Sequence, residues 1–376
     1  MRIGIDATAL PAQPFGAGVY IVQLIRALAE LDGKDDFVVF VHRSRRAVIG
    51  EVAGIEWVSV PDKPPSRRLL WEQLALPRLA QRARLDLLHS PHYTRPLFLP
   101  CKSVVTLHDM TFFLYPELHT QIKRLFFPAA IQASARLADA LIAVSENTRQ
   151  DAIRLLRLPP QKVFTVYHGV ADDFKPIDEP GLLENVRHKY GLPWRFILYV
   201  GLVEPRKNLP LLLRSFKKAT DEGVQASLVV AGSFGWMVDA VFEQIRTLGL
   251  EAKVLFTGYI PRQDLPMIYN LADLLVYPTL YEGFGLPVLE AMACGLPVVA
   301  TKVSSIPEVI GEAGILVPPN DEDALAQAIL AVWQDSDLRR RLSEQGRERA
   351  LTFTWQRTAQ ETAWIYHQVL QTRSTE

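Results

Sequence analysis

Glu282-Gly-Phe-Gly-Leu-Pro-Val-Leu-Glu290 is the stretch that decides the fold, because it joins two apolar runs through a turn and a short helix. Residues 271–277 before it and residues 297–301 after it have the nearly continuous apolar composition of buried parallel strands. We predict a strand, a loop, a helix and a second strand, with Glu282 at the carboxyl end of the first strand and Glu290 on the helix. Open parallel sheets bind ligands at that edge.

Glycine and proline mark the turns of this unit. Gly283 and Gly285 let the backbone bend and approach a ligand closely. Pro287 suits the first helical turn, and Gly295 suits the end of the helix. The start of the predicted helix would then offer backbone N–H groups to an anion near Glu282.

Strand and helix patterns alternate along the whole chain, which predicts α/β domains with parallel sheets and helical crossovers. The first series of predicted strands comprises residues 3–6, 37–42, 54–61, 87–89, 103–108, 141–145 and 163–167. The second series comprises residues 196–200, 226–231, 253–256, 274–277, 298–301 and 315–317. We therefore predict two Rossmann-like, doubly wound domains that face each other across a cleft.

The length of 376 residues also favours two domains over one core. Residues 171–193 are rich in Asp, Glu and Pro and are predicted to connect domains of residues 1–172 and 173–354. The amphipathic segment at about 355–376 is expected to pack back across the first domain. The apolar side chains expected at that contact are Trp364, Ile365 and Val369.

Charge and composition narrow the classes of partner. The chain carries 41 Lys and Arg against 41 Asp and Glu, and residues 1–175 carry 22 against 17. This excess is too small for a nucleic-acid surface, but it suits an anionic substrate or an anionic membrane surface. Cys101 and Cys294 lack the spacing of a disulfide framework or a zinc site.

Targeting signals are also missing from the sequence pattern. The N-terminal apolar run is too short for a signal peptide, and no segment reaches about eighteen uninterrupted apolar residues. We expect a cytoplasmic protein, and peripheral contact with the inner face of the membrane stays open as an alternative.

Glu282 and Glu290 have three interpretations: an acid–base pair, two ligands for hydroxyl groups, or two solvated side chains. Their spacing alone does not distinguish these. The Gly-Phe-Gly turn between strand and helix has no evident core purpose, so it favours ligand binding. Carboxylates only accept hydrogen bonds and therefore suit sugar or ribose hydroxyls.

A second candidate is Gly201-Leu-Val-Glu-Pro-Arg206-Lys207-Asn208, which follows a predicted strand and precedes a helix. Cations at a helix start are electrostatically unfavourable unless an anion lies between them and the helix. A diphosphate held by Arg206 and Lys207 fits that requirement. A solvated loop is the alternative, and Asn208 is expected to be an ordinary N-cap.

The first domain offers weaker candidates. Gly16-Ala-Gly18 precedes a helix and suits a phosphate, an acceptor or a plain helix start. His108-Asp109 and His92-Tyr93 follow predicted strands, where a histidine can bind a hydroxyl or assist proton transfer. The two histidine segments are expected to open onto the cleft.

Two further motifs are expected to be structural. Asp321-Glu-Asp323 matches a metal-binding triplet, but it stands at a predicted helix start, where acidic residues complement the helix dipole. No metal or other cofactor is expected. Residues 67–78 mix arginines with an apolar stripe and suit either a bilayer surface or, as Pro77 favours, core packing with an arginine-rich solvent face.

With these motifs in place, the chain resembles the retaining glycosyltransferases of family four, which have the GT-B fold. The E-x7-E motif from Glu282 to Glu290 carries the resemblance most specifically, and Glu204-Pro-Arg-Lys-Asn208 and His108-Asp109 support it. Gly16-Ala-Gly-Val-Tyr20 is similar to the subgroup with mannosyl- and rhamnosyltransferases of polysaccharide assembly.

The resemblance implies that Glu290 holds the ribose of a nucleoside-diphosphate sugar and that Glu282 holds a hydroxyl of its sugar. Arg206 and Lys207 would bind the diphosphate, and His108 would contact the sugar near the reaction centre. The full implied donor set is Gly16, Gly18, Gly201, Arg206, Lys207, Glu282, Gly283, Phe284, Gly285, Leu286 and Glu290, with His92, Tyr93 and Asp109 for the acceptor. His108, Arg206, Lys207 and Glu282 would be the catalytic residues.

The implied donors are GDP-mannose or UDP-glucose, and the implied acceptor is a glycan or a lipid-linked hydroxyl. A glycoside hydrolase, a nucleotide-sugar epimerase and a non-catalytic nucleotide-sugar-binding subunit are the alternatives. The sequence departs from the family pattern at Leu202, where many relatives have Arg, at residues 304–308, which read Ser-Ser-Ile-Pro-Glu, and at His168.

Overall fold

The computed structural model describes residues 1–33, 35–62, 65–235 and 238–371, without the side chains of Pro65 and Ser66. The chain forms two compact units. One comprises Met1–Gly169 with the described part of Phe353–Glu376, and the other comprises Val170–Thr352. Each unit is built on one parallel sheet.

The first unit contains a seven-stranded sheet in the order β3-β2-β1-β4-β5-β6-β7. Its strands are β1 (Arg2–Asp6), β2 (Asp36–His42), β3 (Ile55–Val60), β4 (Leu87–Ser90), β5 (Lys102–Leu107), β6 (Ala140–Ala143) and β7 (Val163–Thr165). Its helices are α1 (Ala17–Ala29), α2 (Arg46–Ile49), α3 (Pro65–Leu74), α4 (Leu76–Arg82), α5 (Thr111–Leu114), α6 (Gln121–Leu137), α7 (Glu146–Leu156) and α16 (Trp355–Gln371).

The second unit contains a six-stranded sheet in the order β10-β9-β8-β11-β12-β13. Its strands are β8 (Phe196–Val200), β9 (Ser227–Ala231), β10 (Val254–Gly258), β11 (Leu274–Tyr277), β12 (Val298–Thr301) and β13 (Ile315–Val317). Its helices are α8 (Pro180–Tyr190), α9 (Leu209–Asp221), α10 (Asp239–Thr247), α11 (Leu265–Leu271), α12 (Leu286–Ala293), α13 (Ile306–Ile310), α14 (Glu322–Gln334) and α15 (Ser336–Ala350).

Both sheets confirm the predicted α/β, doubly wound class, and every predicted strand is present within a few residues of its expected ends. The strand order reverses between β1 and β4 in the first sheet and between β8 and β11 in the second. Open sheets bind ligands at such switch points, beyond the carboxyl ends of the strands. The loops after these four strands are therefore the places where each unit is built to hold a ligand.

Two predictions need correction. Residues 171–193 were expected to be a plain connection, but they contain α8, which starts with Pro180 and ends at Gly191 in the left-handed conformation. In α16, Ile365 and Val369 are buried as predicted, whereas Trp364 is 54% exposed and meets Phe164 edge-on. Residues 372–376 of the predicted segment lie outside the described residues.

The two motifs predicted to be structural give different results. Asp321 stands at the start of α14 as predicted, and it also caps the helix, because its side chain accepts a hydrogen bond from the Ala324 N–H at 2.9 Å. In residues 67–78 the arginine-bearing α3 leaves Leu70 and Leu74 exposed, while Leu76 of α4 is buried. No helix of the described chain has the length and apolar character needed to cross a bilayer.

Candidate functional site

Glu282 is the centre of the candidate site in the second unit. It lies in the loop after β11 and is 7% exposed, and its side-chain hydrogen bonds and ion pairs are all made by one carboxylate oxygen. Oε1 accepts hydrogen bonds from Lys207 Nζ at 2.6 Å, Thr279 Oγ1 at 2.8 Å and Tyr277 OH at 3.1 Å. Arg206 lies 3.0 Å from the same oxygen. Within the described part of the chain, Oε2 accepts no hydrogen bond.

The ionised state of Glu282 follows from these contacts. Burial alone would raise the pKa of its carboxyl group, but Arg206, Lys207 and the hydrogen bonds outweigh burial and lower the pKa from 4.5 to about 2. Glu282 is therefore a carboxylate at neutral pH. A permanently ionised carboxylate is a poor general acid, and its unused Oε2 is an acceptor for a ligand hydroxyl.

Lys207 is the buried cation of the site. Its side chain is 9% exposed, and Nζ donates to Glu282 Oε1 and to the Tyr277 hydroxyl, both at 2.6 Å. An ammonium has three donors, so one stays available for a further acceptor. Burial lowers the pKa of Lys207, and Glu282 opposes that shift.

Arg206 bridges two carboxylates. It belongs to the 3-10 helix Pro205–Lys207 and contacts Glu204 Oε1 at 2.7 Å as well as Glu282. The cations near the start of α9 are thus already balanced by two glutamates, which weakens the argument that an external anion is needed to explain them. Asn208 is not the predicted N-cap, because it adopts the left-handed conformation and its side chain makes no capping hydrogen bond.

Two serines of the departing 304–308 segment hold the loop that carries Glu282. Ser304 Oγ accepts a hydrogen bond from the Glu282 N–H at 2.8 Å. Ser305 Oγ lies within 3.0 Å of the carbonyl oxygens of Glu282 and Phe284. The departure from the family pattern therefore supplies hydroxyls that fix the loop.

Gly285 has a conformational reason to be glycine. Its φ is +105°, and a Cβ atom there would lie 2.8 Å from Ile306 Cδ1. The residue stands at the start of α12, directly before Leu286. The predicted bend of the backbone is thus confirmed at Gly285 of the Glu282 loop.

Glu290 projects from α12 into a separate set of contacts. Its Oε1 lies 3.2 Å from Arg262, and its Oε2 accepts from Tyr269 OH at 3.1 Å. Burial raises the pKa of Glu290, and Arg262 and Tyr269 oppose that shift. Arg262 was missed by the sequence reasoning, and its guanidinium also covers the Phe174 ring at 4.8 Å.

Close backbone packing joins the loops after β8 and β9. Gly201 has a φ of +151°, and its N–H donates to Ala231 O at 2.9 Å. At Gly232 an added Cβ would lie 1.9 Å from the Gly201 carbonyl oxygen. Gly232 was also missed, although an isolated glycine directly after a predicted strand is a signal of close backbone approach.

In the first unit, His108 follows β5 and is 8% exposed. Its Nε2 lies 2.8 Å from the Pro91 carbonyl oxygen, which can only accept, so the proton is on Nε2. Burial lowers the pKa of His108, which makes the ring neutral and Nδ1 an acceptor. This state suits a hydrogen bond from a hydroxyl rather than proton donation.

The three predicted acceptor residues have different surroundings. His92 is partly buried, its ring centre lies 5.8 Å from that of His108, and burial is the main reason that its pKa falls to about 3. Tyr93 is buried and packs edge-on against both histidines. Asp109 Oδ1 accepts from the N–H and the hydroxyl of Thr111, at 3.0 and 2.7 Å. The contacts of Tyr93 and Asp109 are therefore made within the protein, and they support the structure around His92 and His108.

Gly16 and Gly18 stand at the start of α1. Gly16 has a φ of +48°, and nothing lies within 4 Å of a Cβ added there. Gly18 is packed against Pro11, and its N–H donates to Phe15 O at 2.9 Å. That N–H is already used within the turn, so it is not available to a phosphate or an acceptor.

Comparison with known proteins gives consistent matches over both units. The family "Glycosyl transferases group 1" matches residues 186–349, and "Glycosyltransferase Family 4" matches residues 15–174. O-antigen chain mannosyltransferase B from Escherichia coli is 35% identical over 280 residues, which cover 74% of this chain and 73% of that protein.

A second relative and a solved structure extend the comparison. Serotype-specific mannosyltransferase WbdA from Escherichia coli is 30% identical over 69% of this chain, but the match spans only 33% of that longer protein. Anabaena Alr3699/HepE in complex with UDP and glucose has a TM-score of 0.78 at 21% identity, covering 98% of this chain and 100% of that chain. That structural likeness shows the fold. The chain belongs to the glycosyltransferases of group 1 and family 4, and it is a glycosyltransferase enzyme of the GT-B fold.

Proposed function

We propose that this glycosyltransferase moves a hexose from a nucleoside diphosphate to a hydroxyl of a glycan or lipid-linked acceptor, with retention at the anomeric carbon, in polysaccharide or glycoconjugate biosynthesis. Similarity to two mannosyltransferases favours GDP-mannose as the donor. UDP-glucose is the alternative, because the Anabaena protein of the same fold is in complex with UDP and glucose.

The arrangement of Glu282 and Lys207 is the observation that carries the proposal. One carboxylate oxygen is saturated by the protein, and the other accepts nothing within the described residues. Lys207 Nζ, 2.6 Å from the saturated oxygen, keeps one donor. Glu282 Oε2 can thus accept a hydrogen bond from a sugar hydroxyl, and the neighbouring ammonium of Lys207 can donate one to a phosphate. A sugar joined to a diphosphate requires these two groups side by side.

The proposed chemistry places the developing charge on the leaving diphosphate. As the bond from the anomeric carbon to the diphosphate breaks, Lys207 and Arg206 stabilise the leaving oxygen, and such preorganised donors are worth a few kcal/mol each. Backbone N–H groups at the start of α12, at Gly285 and Leu286, would add to this field. No metal or other cofactor is part of the proposal.

Glu290 is proposed to hold the ribose. Each of its oxygens has one partner in the protein, Arg262 or Tyr269, and a carboxylate oxygen can accept a second hydrogen bond. Arg262 offsets the charge of Glu290, which would otherwise resist burial. His108, through Nδ1, is proposed to accept a hydrogen bond from a sugar hydroxyl.

Retention is proposed to arise by attack from the face that the diphosphate leaves. The acceptor oxygen forms its bond to the anomeric carbon, and its proton passes to the departing phosphate oxygen. Glu282 keeps its proton-free state throughout, because Arg206 and Lys207 stabilise the carboxylate. The glutamates position the donor, and the cations lower the barrier.

The proposed location is the cytoplasm, with peripheral contact at the inner face of the membrane. The first turns of α6 support the contact, because Ile122 and Leu125 are 81% and 80% exposed beside Lys123 and Arg124. Co-sedimentation with anionic and neutral vesicles tests this. Binding to anionic vesicles that falls in the variant Ile122→Ser/Leu125→Ser supports it, and equal recovery with and without vesicles contradicts it.

The activity is tested by incubating the purified chain with GDP-mannose or UDP-glucose and a mannose-terminated oligosaccharide. Nuclear magnetic resonance of the product should show one new glycosidic bond with the donor's anomeric configuration. Inversion would contradict the mechanism. Isomerised donor without transfer would indicate an epimerase, free sugar from a glycoside would indicate a hydrolase, and tight nucleotide binding without any turnover would indicate a binding subunit.

A further inference from the structure

A buried ion pair that the proposed reaction does not use lies at the switch point of the first sheet. Glu72 of α3 is fully buried, and its Oε2 accepts from Arg68 NH1 and from Thr94 Oγ1, both at 3.0 Å. Arg68 NH1 also lies 3.5 Å from Thr8 Oγ1. Thr8 follows β1 and Thr94 follows β4, the neighbouring strands where the order reverses. The pair therefore lies where a doubly wound sheet binds its ligand.

Arg68 keeps unused donors at this position. Its side chain is only 12% exposed, and the guanidinium is fixed on one side by Glu72. Its Nε and NH2 groups donate no hydrogen bond within the described residues. A guanidinium has five N–H donors. Leaving several of them without an acceptor in a mostly buried position costs free energy, unless a ligand or solvent accepts their hydrogen bonds.

Lys123 is a second cation of the first unit whose charge bears on this region. Lys123 of α6 makes no ion pair or hydrogen bond within the described part of the chain and is exposed. Burial is the main cause of the lowered pKa of His92, and the charges of Arg68 and Lys123 lower that pKa further. Cations on two helices, α3 and α6, thus act on His92.

The carboxyl groups of the cluster are more deeply buried than its cations. Asp6 is 3% exposed, and its Oδ1 accepts from the N–H and the hydroxyl of Thr8 at 3.0 and 2.6 Å. Glu72 has no exposure at all. Because the carboxylates are covered and the cations reach solvent, a ligand arriving at this edge meets positive charge first.

We infer that Arg68, positioned by buried Glu72, and Lys123 bind a phosphate group of the acceptor substrate next to His92. The inference rests on the proposed transferase function and adds a substrate class to it: the acceptor is anionic. A planar guanidinium suits two phosphate oxygens at once, and an ammonium suits a third. The phosphate belongs either to a lipid diphosphate or to a soluble sugar phosphate.

The direct test is titration of the full chain with pyrophosphate and with farnesyl diphosphate, at saturating GDP to occupy the nucleotide site. Wild-type protein should bind both, and Lys123→Ala should weaken binding several-fold. Because Arg68→Ala would leave Glu72 buried without its partner, the double variant Arg68→Met/Glu72→Gln is the better probe. It should weaken binding at least tenfold and keep an unfolding temperature near that of the wild type.

Arg67→Ala is the matched control, since it removes the same charge from the neighbouring exposed position. It should change the affinity less than twofold. Tighter binding of farnesyl diphosphate than of pyrophosphate would identify a lipid acceptor. Equal affinity for the two ligands would identify a soluble acceptor. Equal affinity in the wild type and the double variant would overturn the inference.

A kinetic measurement separates positioning of the acceptor from a structural role. The double variant should raise the KM for a phosphorylated acceptor and leave its affinity for the nucleotide unchanged, with little change for a neutral acceptor. Identical effects on the KM for both acceptors would contradict the inference but would leave the proposed transferase function intact. Absence of transfer in the wild type would instead defeat the proposed function, and the titration would still report whether Arg68 binds phosphate.

Discussion

Lys207 Nζ and Glu282 Oε1 lie 2.6 Å apart, and both side chains are more than nine-tenths buried. The pair joins the loop after β8 to the loop after β11 across the switch point of the second sheet. Each charge stabilises the other there, because an unpaired buried charge costs several kcal/mol. The pair is therefore a fixed element on which the donor site is organised.

Glu282 should make stability depend on acid pH. The pKa of about 2 in the folded protein lies below the ordinary value of 4.5, so the contribution of Glu282 to stability is complete above about pH 4.5 and is lost as the pH falls toward 2. The shift corresponds to roughly 3 kcal/mol. Denaturant unfolding of the wild type and Glu282→Gln between pH 2 and 7 checks this, and a difference that stays constant over that range would contradict it.

Lys207→Met should lower kcat at least a hundredfold, because it removes a donor that acts on the leaving diphosphate. Methionine keeps much of the buried volume, and Arg206 still pairs with Glu282. Steady-state kinetics with saturating acceptor measures the effect. Lys302→Met is the control, because Lys302 is exposed. Loss of activity accompanied by loss of the folded state would leave no support for a catalytic role of Lys207.

Arg262→Ala should weaken binding of the nucleoside about tenfold, because Glu290 then lacks the cation that offsets its buried charge. Glu290→Ala should weaken it at least as much. Calorimetry with guanosine and uridine reports the ribose contact without the diphosphate. Glu312→Ala removes the same charge as Glu290→Ala, but from an exposed position, and it should leave the affinity for the nucleoside unchanged. Unchanged affinity in both site variants would remove the ribose assignment.

Gly232→Ala should abolish transfer and destabilise the second unit, because its Cβ would lie 1.9 Å from the Gly201 carbonyl oxygen beside Lys207. Gly223→Ala is the matched control: its φ of +110° is also unfavourable for alanine, but nothing lies within 4 Å of the added Cβ. Thermal unfolding and kinetics should show the larger loss at Gly232. Equal losses would mean that backbone strain alone explains both.

The sheets could be predicted from the sequence because buried parallel strands are local, continuous apolar runs between turn signals, as at residues 196–200 and 298–301. Glu282 and Glu290 could be singled out because the Gly-Phe-Gly turn between two such runs is also a local pattern. Helix α8 was missed, because its polar composition hides a helix that packs on α11.

Pairings between distant loops could not be predicted. The contact of Arg262 with Glu290 and the saturation of Glu282 Oε1 depend on which loops meet at the sheet edge, and no local pattern encodes that. Asn208 shows the same limit, since its left-handed conformation follows from the 3-10 turn before it rather than from its own cap preference.

The central claim is that Glu282 holds the sugar of the donor through Oε2 and does not act on the nucleotide. Calorimetric titration of GDP and GDP-mannose into the wild type and Glu282→Gln tests it most directly, with UDP and UDP-glucose as the parallel pair. The wild type should bind the nucleotide sugar more tightly than the nucleotide. Glu282→Gln should lose about tenfold in affinity for the nucleotide sugar and keep its affinity for the nucleotide. An equal loss for both ligands would contradict the claim.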